Sequence, residues 1–390
     1  MKIEGIYLLI FSLVFSAGFS VAQGVVPGAA NTDSIIETKL ELRPPVHAGG
    51  QGIIIFSDQD YFNNILKIAP NFDRNYTMGF GVNIYGKWTG SNCVFTNYPL
   101  KFIERITKLK DHYVHVFSNF TFGMSGFTPQ KIDTASAVTD DRPYSSLLYF
   151  RSTRFYEGPR NRTIIQSFTL GVLGLAVGGD VQTAIHKAML KSDSTNRPVP
   201  LGWRNQISDG GEVTAMYSVQ IRKNLIGKRQ RWAQTGAVNS VTGEATQWLQ
   251  LNAYGEGALG YYTSLMSGFN LRLGLINNYY YMEDNLGYGN SEKAGGGRTI
   301  KRPLNLYFFA NARGRFWAYN SLLMGQYKPN PHSFALSEIS PFTGEYDMGI
   351  KLSVGPVQLS WVMISARTAE FKGGKSATQH WGGAAVGLIF

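Results

Sequence analysis

Gln182 and His186 lie four residues apart in the segment GGDVQTAIHKAML, Gly178 to Leu190. Its spacing of apolar residues predicts a short amphipathic helix, and the pair then projects from one helix face. Asp180 is placed to cap that helix, its carboxylate accepting from first-turn amides. An imidazole beside an amide suits two roles. It can act as a general base with a polar companion, or it can serve as a structural hydrogen-bonder, the commoner fate of a lone helical histidine. Oxygen donors gather elsewhere, at Asp58, Gln59 and Asp60, at Asp73, Arg74, Tyr76 and Thr77, and at Asp140, Asp141, Arg142 and Tyr144. Carboxylate, amide and hydroxyl oxygens are hard ligands suited to calcium, although an Asp-Arg pair ahead of a strand is equally a loop ion pair. Cys93 is the single cysteine, which excludes an internal disulfide and speaks against thiolate-bound zinc. A serine nucleophile has no support. There is no Gly-x-Ser-x-Gly elbow, and His115 and Ser118, three apart on a strand, face opposite ways.

The elements that must position these groups are strands. Met1-Lys2, the apolar run Tyr7 to Phe15 and Ser20-Val21-Ala22 read as a secretory signal peptide over residues 1–22, with an apolar run too short to span a bilayer. Residues 23–390 read as one domain. Glycine (44), tyrosine (21) and phenylalanine (24) are abundant and charged residues make up only 16%, a composition suited to an antiparallel transmembrane β-barrel. About twelve strand candidates alternate, near 51–57, 76–88, 111–122, 144–155, 163–175, 212–222, 246–256, 268–276, 304–316, 345–354, 357–367 and 380–390. Arg313 and Arg315 share the polar side of one of them, as a barrel lumen would require. The last strand ends on Phe390, like the ending of bacterial outer-membrane barrels that the barrel-assembly machinery recognises. The expected fold is therefore all-β, a barrel of about twelve strands with a short helix in an outer-face loop.

An even strand number places both termini on the periplasmic side. The helix then falls in the outer-face connection over residues 176–211, and so long a loop usually carries function. The oxygen clusters before and after the early strands meet His186 at that same rim. Another outer connection is expected at 257–267. Residues 89–110, 223–245 and 277–303 become long periplasmic connections, the last two loop-like.

Together these segments resemble the lipid A 3′-O-deacylase family of outer-membrane enzymes. The resemblance rests on SDQDYF (Ser57–Phe62), DRNYTMG (Asp73–Gly79), FTPQKID (Phe127–Asp133) and DDRPYSSLLYF (Asp140–Phe150). It continues through LGVLGLAVGGDVQTAIHKAM (Leu170–Met189), VPLGW (Val199–Trp203), LYFFANARGRFWAYN (Leu306–Asn320), RTAEF (Arg367–Phe371) and the final strand. It implies a twelve-stranded barrel in the bacterial outer membrane whose rim holds a calcium-dependent esterase acting on lipid A, the anchor of lipopolysaccharide. His186 matches the general base that activates water, Gln182 its helix companion, and Thr77 the site hydroxyl. Asp60 matches the acidic calcium residue, with Gln59 where the family has Asn. Lys131 matches the substrate-contacting lysine. An acidic residue expected six positions after the histidine is Ser192 here, with Asp193 adjacent as a metal ligand. The formal charge of +11 would draw the lipid A phosphates, and nothing points to nucleic acid. Two other functions stay open: a non-catalytic barrel, either a pore or a lipopolysaccharide binder, and a phospholipase on the same scaffold.

Overall fold

Alternation of apolar and polar side chains is realised as strands, and the strands close on themselves. The computed structural model describes residues 52–389 except 60–61, 63–74, 87–93, 159–161, 193–198, 228–230, 236–237, 243–245 and 278–303. The signal-peptide segment and residues Asp60, Asp73, Arg74 and Asp193 lie outside the described residues. The early strands are β1 (Gly52–Gln59), β2 (Asn75–Tyr85), β3 (Val114–Thr128), β4 (Ser145–Gly158), β5 (Arg162–Leu173) and β6 (Glu212–Ile226). A separate hairpin, β7 (Arg231–Thr235) and β8 (Val238–Thr242), precedes β9 (Thr246–Gly260), β10 (Tyr262–Asn277) and β11 (Leu304–Asn320). The chain ends with β12 (Phe342–Val354), β13 (Val357–Arg367) and β14 (Gln379–Ile389). All but the hairpin join one closed antiparallel barrel, in which β6 pairs with β9 and β14 pairs with β1 from Gly52–Ile389 to Gln59–Gly382. Closure leaves no edge strand unpaired.

Strand β11 shows which side is which. Asn305, Tyr307, Phe309, Asn311, Arg313, Arg315 and Trp317 are buried in the lumen, while Leu304, Leu306 and Phe316 are exposed on the outer wall. A water-soluble sheet would hide the second set. Here the polar set is inside, so the outer medium is lipid. Arg313 reaches Glu345 at 2.6 Å and Asp347 at 2.8 Å, and Arg367 reaches Glu345 at 2.9 Å and Glu370 at 2.8 Å. An aromatic layer of Tyr76, Tyr149, Tyr262, Trp317 and Trp381 crosses the lumen, and Ile54, Phe56, Tyr307 and Phe309 belong to a second apolar layer. The barrel interior is packed with side chains.

Both ends of the barrel sequence, Gly52 and Ile389, lie at one rim, here the terminal rim. The strand plan agrees with all twelve expected strands, and it corrects four details. Residues 257–267 are no loop: β9 and β10 run to Gly260 and Tyr262, because Gly260 takes a φ of 140° that permits a tight turn. The connection at 89–110 holds a helix, α1 (Val94–Ile106), followed by a 3₁₀ turn at Leu109–Asp111. Residues 223–245 carry the β7–β8 hairpin. The expected helix is α2 (Val177–Ser192), which starts earlier than expected, so Asp180 does not cap it. The amide of Asp180 already bonds the Ala176 carbonyl at 3.1 Å, and its carboxylate instead favours the positive end of the helix from within the first turn. A third, four-residue helix, α3 (Ser321–Met324), is capped by the Asn320 side chain.

Candidate active site

The chain leaves β5 at the rim opposite the terminal one, turns through Gly174 at φ 72°, and lays α2 back against the outside of the barrel. The side of α2 that is buried contains Gly178, Gly179, Gln182 and His186, whereas Asp180, Ala184 and Lys187 are exposed. Burying two polar side chains rather than an apolar stripe has to be compensated by partners. The main partner is Trp203. Its indole packs with Met78, Met124, Ile132 and Tyr144, against which Phe80, Leu148 and Val181 also rest. A Cβ on Gly179 would fall 2.7 Å from Trp203 Cγ, and one on Gly178 would fall 2.8 Å from Ser146 Cβ. These two glycines let the first turn of the helix lie flush on indole and wall. That tertiary contact explains why the helix begins at Val177 despite the poor helix propensity of paired glycines.

Trp203 also fixes the amide. Its Nε1 donates to Gln182 Oε1 at 2.8 Å, which leaves Gln182 Nε2 as the free end. That nitrogen is buried and has no hydrogen-bond partner among the described residues. A buried donor without an acceptor is costly in a finished fold, and is common where a ligand supplies the acceptor. His186, one turn further on the same face, is 3% exposed.

Thr77 stands at the same rim, on the neighbouring strands. It is the extra residue of a β-bulge, at a register shift between Tyr76 and Met78, and its hydroxyl lies 2.7 Å from that of Thr128. Gln59 ends β1 opposite Met78, half-buried, with Nε2 donating to Ser57 Oγ at 3.3 Å. Strand alternation separates Gln59 from Asp58, which is buried and accepts from the Tyr76 hydroxyl at 3.3 Å. Lys131 is exposed just beyond β3. Among the described residues no three His, Cys, Asp or Glu side chains form a cluster able to hold a metal. The carboxylates expected to do so, Asp60 and Asp193, are outside them.

In the Asp140–Tyr144 segment the Asp141 and Arg142 side chains are engaged with other protein groups. Asp141 accepts from the backbone amides of Gln130 at 2.9 Å and Arg142 at 2.8 Å. Arg142 is fully buried, pairs with Glu370, and sits 4.1 Å over the Phe127 ring. His332 Nε2 lies 3.1 Å from the Asp141 carbonyl, so this histidine ties loops together. Trp203 and Thr128 are the residues that sequence alone leaves without a role. Trp203 ends a segment of fixed order after the helix, which was the available signal. Thr128 had none, because its meeting with Thr77 depends on the bulge.

A closed barrel with a polar packed lumen, an apolar outer wall and a buried imidazole under a helix on that wall defines an integral membrane barrel of the bacterial outer-membrane type. The family model described as outer membrane protein LpxR matches residues 20–390, and the chain belongs to that family. Among solved structures, LpxR from Salmonella typhimurium superposes with a TM-score of 0.62 at 17% identity, covering 87% of this chain and 100% of that one. At that identity the likeness speaks for the fold. The beta domain of the Bordetella autotransporter BrkA gives a TM-score of 0.38 at 10% identity over 87% of this chain and 99% of that one, too slight a likeness to add to it. Comparison with curated proteins finds no match. The protein resides in the bacterial outer membrane, with the terminal rim on the periplasmic side by the usual rule for even-stranded barrels.

Proposed function

We propose that this protein is a calcium-dependent esterase that removes the 3′-acyloxyacyl group from lipid A at the outer leaflet. The observation that carries the reading is the buried face of α2, where an imidazole and an amide with one unmatched N–H lie against the lipid-facing wall. That is the end of the barrel at which lipopolysaccharide resides. Neutral His186 would take a proton from water as the water oxygen attacks the ester carbonyl carbon. The bond from that carbon to the sugar 3′ oxygen then breaks, and the imidazolium returns its proton to the departing alkoxide. The free acyloxyacyl acid and a 3′ hydroxyl result. Gln182 Nε2 is the donor for the developing oxyanion, oriented because Trp203 holds the other end of the amide.

The donor set around the rim is composed of hard oxygens and suits calcium rather than zinc or iron. Thr77 and Gln59 come from paired strands, and Asp60 and Asp193 would supply the carboxylates. Calcium bound there would polarise the ester carbonyl. Lys131, exposed just beyond β3, would meet a lipid A phosphate. The packed lumen disfavours a pore, since ionic and aromatic layers occupy the space an aqueous channel would need. The C-terminal strand, paired with β1, is the element the barrel-assembly machinery would engage.

Mass spectra of lipid A from cells making the protein test the reading. With calcium present, wild type should release the acyloxyacyl acid and His186→Ala should not, at equal amounts of folded barrel. Chelation should abolish the wild-type reaction. Identical spectra for wild type and His186→Ala would sink the proposal, and free fatty acid from glycerophospholipid with lipid A intact would assign a phospholipase instead.

A further inference from the structure

Helix α1 packs on the outside of the barrel toward the terminal rim, and its polarity is inverted for a helix in water. Thr96, Asn97, Leu100 and Glu104 are buried, whereas Tyr98, Phe102 and Ile106 are 70%, 61% and 64% exposed. The wall beneath it is polar where lipid would demand apolar groups. Phe150 of β4 is exposed on the outer wall, so alternation turns Ser152 and Arg154 outward too, with Gln166 of β5 opposite Arg154. All three polar residues are nonetheless buried. Thr96 Oγ1 lies 2.6 Å from Ser152 Oγ. Glu104 pairs with Arg154, and Lys110 reaches the same carboxylate at 2.7 Å. The helix masks a polar patch and presents an apolar stripe in its place.

Two further features identify what meets that stripe. It continues the lipid-facing wall, where Phe120 and Phe122 contact Phe150 at centroid distances of 5.9 and 5.0 Å. It is also bordered by exposed cations. Lys101 and Arg105, four residues apart, share one flank, and Lys108 and Lys110 follow, while Asp111 is the one exposed carboxylate described between residues 94 and 113. We infer that α1 is a lipid-contact helix of the inner leaflet. Its Tyr98–Phe102–Ile106 stripe lies among acyl chains, and its Lys101–Arg105 flank binds the phosphates of anionic glycerophospholipid. This surface lies toward the opposite end of the wall from α2 and does not depend on ester hydrolysis.

The test uses the full-length barrel in vesicles of phosphatidylethanolamine with phosphatidylglycerol. A nitroxide is attached at Phe102→Cys, and separately at Tyr98→Cys, each in a Cys93→Ser background that removes the native thiol. Both labels should collide with dissolved oxygen in preference to a water-soluble nickel chelate. Preferential collision with the chelate would place the face in water, and shielding from both would mean that protein covers it; either overturns the inference. For the headgroup, the preference of spin-labelled phosphatidylglycerol over spin-labelled phosphatidylcholine should fall by about fivefold for each cation removed in Lys101→Gln and Arg105→Gln. An unchanged preference in the double variant would overturn the headgroup site, and equal thermal stability of the variants would exclude unfolding as the cause of a loss.

Discussion

Helices α1 and α2 lie on the same barrel wall, one toward each end, and both turn polar side chains to it. They differ in how those side chains are matched. In α1 the Glu104 carboxylate meets two cations, Arg154 and Lys110, and the Thr96 hydroxyl meets Ser152. In α2 the Gln182 carbonyl is taken by Trp203 but its amide nitrogen meets nothing among the described residues. A polar face held by charge pairs serves attachment, although Arg154 Nε and Gln166 Oε1 of the wall beneath α1 are also without a hydrogen-bond partner among the described residues. What distinguishes α2 is that its unmatched atom is an N–H one turn from a buried imidazole, the pair that the proposed reaction uses. The same device, a helix with its polar side inward, thus yields a clamp at one end of the wall and a candidate reaction centre at the other.

The largest expected effect comes from breaking the clamp. Glu104→Ala leaves the Arg154 guanidinium buried and uncompensated on the lipid-facing wall, a loss of about 3 kcal/mol in stability. Urea unfolding in lipid vesicles, followed by the mobility difference between folded and unfolded barrel on gels, measures it. Replacing both partners, as Glu104→Leu with Arg154→Leu, should recover most of that loss, because two apolar groups need no counterion. Deacylation by the folded fraction should be unaffected in either. Gln182→Ala should behave in the opposite way. Its stability loss should stay near about 1 kcal/mol, from the Trp203 N–H left without its acceptor, while kcat falls by about a hundredfold, the usual effect of losing one oxyanion donor. A stability loss at Gln182 comparable to that at Glu104 would erase the distinction between the two helices.

The contrast also shows what was legible in the sequence. Strand alternation is local, and all twelve barrel strands could be read from it, including the lumen placement of Arg313 and Arg315. The Gln182–His186 pair could be read as well, because four-residue spacing puts both on one face of any helix. Helix α1 was not legible. Its apolar residues point toward lipid and its polar ones toward protein, so its pattern suggested a connecting loop rather than a packed element. Pro99 inside the helix also argues against it by local preference. Asp180 falls inside the helix for the complementary reason, since the Gly178-Gly179 contact with Trp203 extends the helix past its apparent cap. Partners distant in sequence, such as Arg142 with Glu370, leave no local mark at all.

The smallest expected effect is the sharpest test of how α2 is held. Trp203→Phe keeps most of the ring that packs on Met78 and the helix glycines, and removes the N–H that holds Gln182 Oε1. The amide is then free to turn, so the unmatched nitrogen no longer has a fixed direction. Losing one hydrogen bond to an orienting group should lower kcat by about tenfold with KM little changed. Because the effect runs through Gln182, adding Trp203→Phe to Gln182→Ala should cost nothing further. If the two losses multiply instead, Trp203 acts by packing alone. The unmatched nitrogen would then be a flaw tolerated in the wall, as polar groups occasionally are, and α2 would be a clamp of the same kind as α1.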